Sequence, residues 1–171
     1  SLNVPHPESW VVKSLEEAEK LAKDIGYPIV SKPLSGFGGV GIGLAKSSKE
    51  LRNLLRNVFR CHESFLLQEY VKGVPASASL ISTRNDVVTL AINEQLLGLQ
   101  EVAQTEPFGY CGNVVPLSAS GEIIERCKRI SEEVVRAFHL IGSNGVDLVV
   151  SEEGNPKVIE VNPRLQGTLE C

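Results

Sequence analysis

The stretch that most restricts the fold is "GVDLVVSEEGNPKVIEVNPR", residues 145–164. Two runs rich in Val and Ile flank Glu153-Gly154-Asn155-Pro156, a cluster of turn-forming residues. The chain is expected to reverse there as a β-hairpin, Gly145 to Val150 against Lys157 to Val161. Pairing symmetrically about Glu153-Gly154 sets Val150 against Lys157, Val149 against Val158 and Asp147 against Glu160. Carboxylates directly opposite on adjacent strands have Cβ atoms ~5 Å apart and repel. Flanked by Val146, Leu148, Ile159 and Val161, these two are either bridged by a cation or are the solvated acids of a surface hairpin. Asn162 lies two residues past Glu160 and projects from the same face. Two carboxylates and an amide oxygen, without Cys or His, suit a hard ion, with Mg²⁺ beside nucleotide phosphates the best match. Arg164 follows Pro163, where a planar cation could hold phosphate or a developing oxyanion. A slip of one residue in the pairing would send Asp147 and Glu160 to opposite faces.

The second informative stretch is "PIVSKPLSGFGGVGIGLAK", which holds five glycines from Gly36 to Gly43. Gly36, Gly38 and Gly41 satisfy G-x-G-x-x-G, but a strand-like run follows them, whereas a dinucleotide fingerprint needs a helix. The Gly-Lys-Ser/Thr ending of a P-loop is also missing. What remains is strand, glycine loop, strand. Such a loop can offer backbone N–H groups to a triphosphate, with Lys32 on the entering strand, or it can be a plain flexible hairpin.

Helices and strands interleave along the rest. A capping box, Ser14 with Glu17, opens a helix carrying Leu15, Ala18, Leu21, Ala22 and Ile25 on one face, ended by Gly26 and Pro28. Ile29 to Lys32 and Val40 to Ala45 read as strands. Ser47 and Glu50 open a second helix. Phe65 to Val71 reads as a strand, and Ala76 to Ser82 with Val87 to Ile92 as a hairpin. Leu96 to Thr105 is expected to be a further strand and Phe108 to Pro116 a loop. The longest helix is expected over Ile123 to Ile141, with Gly142 at its end. Hairpins dominate the second half, which argues for α+β with antiparallel sheet.

Composition sets the remaining bounds. With 171 residues, 42% of them hydrophobic, the chain can bury a core. A net charge of −4 and 5% aromatics give no basic stripe for nucleic acid. No apolar run approaches the ~20 residues of a membrane span, and no leader opens the chain. The four cysteines, Cys61, Cys111, Cys127 and Cys171, fit neither a zinc pattern nor a dense disulfide framework. The expectation is a cytoplasmic protein with reduced thiols.

Four segments in order resemble the ATP-grasp superfamily, the carboxylate–amine ligases and relatives of the carbamoyl-phosphate synthase large subunit. They are "YPIVSKP", "SGFGGVGI", "FLLQEYVKG" and "VIEVNPRLQGT", with Asp147 thirteen residues before Glu160. The resemblance runs from about Tyr27 to Thr168. It implies an ATP-grasp fold of two α+β lobes with antiparallel sheets around a nucleotide, residues 1–66 forming one lobe and 67–171 the other. It implies ATP bound by Lys32, Gly36, Phe37, Gly38 and Gly39 at the phosphates and by Gln68, Glu69, Tyr70 and Val71 beside adenine. It implies Mg²⁺ on Asp147, Glu160 and Asn162, with Arg164 and Lys32 catalytic. The implied reaction activates a substrate carboxylate as an acylphosphate for attack by an amine. A phosphotransferase or a non-catalytic nucleotide-binding module on the same scaffold are the alternatives. The implied partners are small-molecule carboxylate and amine substrates, with a homodimer allowed and neither nucleic acid nor membrane. The sequence departs from the family at Gln68, where many relatives have an acid, and at Val74 to Ser77, where an acid for ribose is usual. A further upstream lobe is also usual, so the chain reads as part of a longer enzyme.

Overall fold

The computed structural model describes residues 3–34, 39–58 and 63–166. Two compact units emerge. One comprises Pro7–Tyr70 with Leu97–Cys111, and the other Ser1–His6, Val71–Leu96 and Gly112–Cys171. Against the expected division between residues 66 and 67, the whole of strand Phe65–Glu69 lies in the first unit, and a segment from the middle of the chain joins it.

The first unit is built on a four-stranded antiparallel sheet in the order β1-β4-β2-β3, with β1 at Ser9–Val12, β2 at Ile29–Pro33, β3 at Gly43–Ala45 and β4 at Phe65–Glu69. Helices α1 (Leu15–Ile25) and α2 (Ser48–Val58) supply the apolar faces that cover it. Val12, Ala18, Ala22, Ile29, Ala45, Leu51, Leu55, Phe65 and Leu67 form its core. Both helices start with the same device. The Glu17 N–H donates to Ser14 Oγ (3.1 Å), while the Glu17 carboxylate accepts from the Lys13 N–H (2.8 Å). Glu50 with Ser47 and Lys46 repeats the pattern. Ser14→Ala is expected to lower stability by about 1 kcal/mol, read as a shift in a denaturant midpoint. The expected strand over Val40 to Ala45 shrinks to Gly43–Ala45, because Gly39 (φ 81°) and Gly41 (φ 76°) turn the chain in the left-handed region.

The second unit is built on a five-stranded antiparallel sheet in the order β7-β6-β5-β8-β9. Its strands are β5 (Gly73–Ser82), β6 (Val87–Leu97), β7 (Tyr110–Val114), β8 (Gly142–Ser151) and β9 (Pro156–Asn162). Helix α3 (Gly121–Ala137) packs Cys127, Ile130, Val134 and Val135 with Ala76, Ala78, Leu80, Val146, Leu148 and Val150. Alternation therefore sends Ser77, Ser79 and Asp147 to the sheet face away from α3.

Three expectations fail here for local reasons. The strand expected over Leu96 to Thr105 stops at Leu97, where Gly98 (φ 62°) and a 3₁₀ turn at Gln100–Val102 take over. The expected loop Phe108 to Pro116 contains β7. Helix α3 ends at Ala137, short of Ile141, through a Schellman closure. His139 sits at φ 52°, the Leu140 N–H donates to the Val135 carbonyl and the His139 N–H to the Arg136 carbonyl. Gly142 then opens β8. Among the described residues, no helix is long and apolar enough to cross a membrane.

Candidate functional site

On the face of the second sheet away from α3, one row of residues crosses four strands in register. Asn93 on β6 faces Ser77 on β5, Ser77 faces Asp147 on β8, and Asp147 faces Glu160 on β9. The expected juxtaposition of the two acids is present, but the register that delivers it is not the simple one. Nearer the turn, Val150 faces Pro156, Val149 faces Lys157 and Leu148 faces Val158, one residue off the symmetric pairing. The turn closes tighter than expected, the Gly154 N–H donating to the Ser151 carbonyl at 2.8 Å with Gly154 at φ 76°. A β-bulge between Asp147 and Leu148 then leaves Ile159 as the extra residue and restores the offset at Glu160.

Asp147 is half-buried and ringed by donors. Gln95 Nε2 donates to one carboxylate oxygen (3.0 Å) and Asn162 Nδ2 to the other (2.9 Å). Burial pushes the Asp147 carboxyl above its ordinary range. A hydrogen bond from the Ser77 side chain opposes the shift, Glu160 adds to it, and Arg164 and Asn162 oppose it. Glu160 and Arg164 are exposed. Among the described residues, the Arg164 guanidinium donates from Nη1 to the Leu165 carbonyl at 3.3 Å, one of the five N–H donors such a group carries.

Among the described residues, no group of three or more His, Cys, Asp or Glu side chains gathers. The site offers two carboxylates and an amide. With Asn162 Nδ2 on Asp147, its carbonyl oxygen remains as an acceptor. This all-oxygen set fits a hard divalent cation, and a carboxylate desolvated beside a second carboxylate is the electrostatic setting that such a cation relieves. Ser77 and Gln95 escaped the sequence reading. The signal for Ser77 lay in the alternation of Ala76 and Ala78 with Ser77 and Ser79. No local pattern marked Gln95.

In the first unit, Lys32 lies on β2 opposite Leu66 and is partly buried. Gly36, Phe37 and Gly38 lie outside the described residues. Gly39 is described, and a Cβ there would overlap the carbonyl oxygen of Phe108, so the end of the glycine segment rests on the loop between β6 and β7. Gln68 is only 6% exposed, and its Nε2 donates to Ser9 Oγ at 2.9 Å. The Glu69 N–H donates to the Glu8 carbonyl (2.9 Å), and the Glu69 carboxylate accepts from the Glu8 N–H (3.3 Å). Both polar side chains of this segment are thus tied to the strand leading into β1. Tyr70 and Val71 lie just past β4, outside the ladder.

Comparisons with known proteins bear on the fold and the family. The chain is 28% identical over 173 residues to the carbamoyl phosphate synthase large chain of Methanobrevibacter smithii, covering 96% of this chain and 16% of that protein. Its fold is similar to biotin carboxylase from Campylobacter jejuni, solved as a β,γ-ATP complex (TM-score 0.83, 19% identity, 96% of this chain and 38% of that one). It is also similar to the biotin carboxylase domain of Hydrogenobacter thermophilus 2-oxoglutarate carboxylase, solved with MgADP, ADP and bicarbonate (TM-score 0.80, 21% identity, 96% and 37%). The chain thus spans a minor part of each of these proteins. The family model described as the ATP-grasp domain matches residues 1–168, and the chain belongs to that family.

Proposed function

We propose that this chain carries the ATP- and Mg²⁺-binding part of a ligase that activates a substrate carboxylate. The observation that carries the reading is the row Ser77–Asp147–Glu160 with Asn162 bonded to Asp147. A desolvated carboxylate facing a second one makes a poor structural element and a good cation ligand. Family membership and the printed names of the relatives, a carbamoyl phosphate synthase and a biotin carboxylase, support the same chemistry.

In this reading, Asp147, Glu160 and Asn162 would hold Mg²⁺, which when bound supplies charge neutralisation at the nucleotide phosphates. Lys32 binds phosphate oxygens. The backbone of Tyr70 and Val71 and the side chains of Gln68 and Glu69 border adenine, with Gln68 Nε2 also donating to Ser9 Oγ. The substrate carboxylate oxygen attacks the γ-phosphorus and ADP departs. An amine then attacks the acyl carbon of the acylphosphate, loses a proton, and phosphate leaves. Arg164 contributes a guanidinium to the transferring phosphoryl group and to the tetrahedral intermediate, where planar paired donors suit spread negative charge. No side-chain nucleophile is required, so these residues act by positioning and electrostatics.

The test is product formation by the full-length protein given MgATP and panels of small carboxylates and amines. ADP and phosphate should appear together only when one member of each class is present. A stable phosphorylated product formed without any amine would replace the ligase with a phosphotransferase. Absence of MgATP binding would remove both.

A further inference from the structure

Gln166 lies beyond the end of β9, and the reading above gives it no task. It is nevertheless a polar residue only 7% exposed. Its Nε2 donates to the carbonyl oxygen of Arg164 at 2.9 Å and reaches that of Asn162 at 3.4 Å. The Arg164 N–H donates to the same Asn162 carbonyl at 2.8 Å. After Asn162 the chain therefore leaves the ladder and curls back on itself, with one side-chain amide stitching the curl from inside.

The floor under that amide is Gly145. A Cβ at this position would overlap the Cδ, Oε1 and Nε2 atoms of Gln166. Gly145 is also the ladder partner of Asn162. Its φ lies outside the left-handed region, so what the position demands is space for Gln166. One glycine on β8 and one amide past β9 thus meet the backbone of the two residues that matter next to the acids. Asn162 must keep Nδ2 on Asp147 while its side-chain oxygen Oδ1 points toward the ion. Arg164 sits past the end of the β8–β9 ladder, which closes at Asn162.

We infer that Gln166, seated on Gly145, is a positioning residue that sets Asn162 and Arg164 for the metal and phosphate chemistry. Its Nε2 donates to two backbone carbonyls, so it acts through those two residues. The inference rests on the proposed Mg²⁺ site at Asp147, Glu160 and Asn162.

The decisive measurement is ATP affinity of the full-length protein by calorimetry, once with Mg²⁺ and once with EDTA. Gln166→Met keeps the length of the side chain and removes both donated hydrogen bonds. Affinity in EDTA should stay at the wild-type value, while affinity with Mg²⁺ should fall roughly 10- to 100-fold, the range for partners that orient metal ligands. Gly145→Ala should produce the same Mg²⁺-specific loss by displacing the amide from below. Gln166→Glu, equal in size and without donors, serves if the methionine variant does not fold. Equal losses in both buffers would mark a merely structural residue and overturn the inference, as would a full wild-type Mg²⁺ gain in Gln166→Met. If the wild type shows no Mg²⁺ gain, or Glu160→Gln retains it, the metal site itself is wrong and the inference falls with it. A gain lost in Glu160→Gln but intact in Gln166→Met sinks the positioning role alone.

Discussion

Glu160→Gln will lower the Mg²⁺-dependent gain in ATP affinity by at least roughly 100-fold, the upper end of what losing a partner one step removed from a metal costs. The folded state should tolerate the change. Glu160 is exposed, and its carboxylate faces Asp147 across the ladder. Removing a like-charge pair of this kind is worth about 0.2–1 kcal/mol in favour of the variant. The change should also alter the pH response of the ion-free protein. The folded-state pKa of Asp147 lies above its ordinary value of 3.8, by burial first and Glu160 in part. Stability linked to that carboxyl is complete below the ordinary value and is lost as pH rises through the raised one. Glu160→Gln lowers the raised value and so narrows that window from its upper side. Melting curves in EDTA across the acidic range, compared between wild type and variant, check the sign. A melting temperature that responds to pH identically in the two proteins would show that the acids do not sense each other.

Phe65→Ala is the second large effect, an expected loss of about 3–5 kcal/mol to the first unit. Among the described residues Phe65 is the largest fully buried side chain, 1% exposed, in a core otherwise made of smaller residues. It also sits on the strand that holds its sheet together, since β4 pairs with both β1 and β2 and Phe65 itself is registered with Val12 and Pro33. A cavity there loosens both neighbours. Chemical unfolding followed by two probes, one in each unit, is the appropriate measurement, because a chain with two cores need not unfold in one step. A loss below about 1 kcal/mol would mean that the site collapses around the missing ring.

Much of this molecule was legible from local patterns. The starts of α1 and α2 follow from Ser-x-x-Glu, and α3 was expected as the longest helix. The β5–β6 and β8–β9 hairpins of the second sheet follow from their turn residues and apolar runs. The acid pair was reached by a symmetric hairpin that the protein does not form. Two deviations, a tighter turn and an extra residue at Ile159, cancel at Asp147 and Glu160. Bulges are set by how a strand must bend against its sheet, and a single strand's sequence says little about that. β7 was missed because Gly112, Pro107 and Pro116 give its surroundings the composition of a loop, while its strand character comes from pairing with β6. The end of α3 was placed at a glycine because glycine is the common left-handed residue. His139 takes that conformation instead, three residues earlier. Gln68 illustrates another limit, since its Nε2 also donates to Ser9 on the neighbouring strand, a contact that no local pattern announces.

The path of the backbone has a consequence for inheritance. The chain passes from one unit to the other after His6, Tyr70, Leu96 and Cys111. A single genetic crossover therefore cannot exchange one unit for its counterpart in another member of the family. Any such swap near Tyr70 would leave a foreign 97–111 segment against the native glycines, with Gly39 and Phe108 drawn from different ancestors.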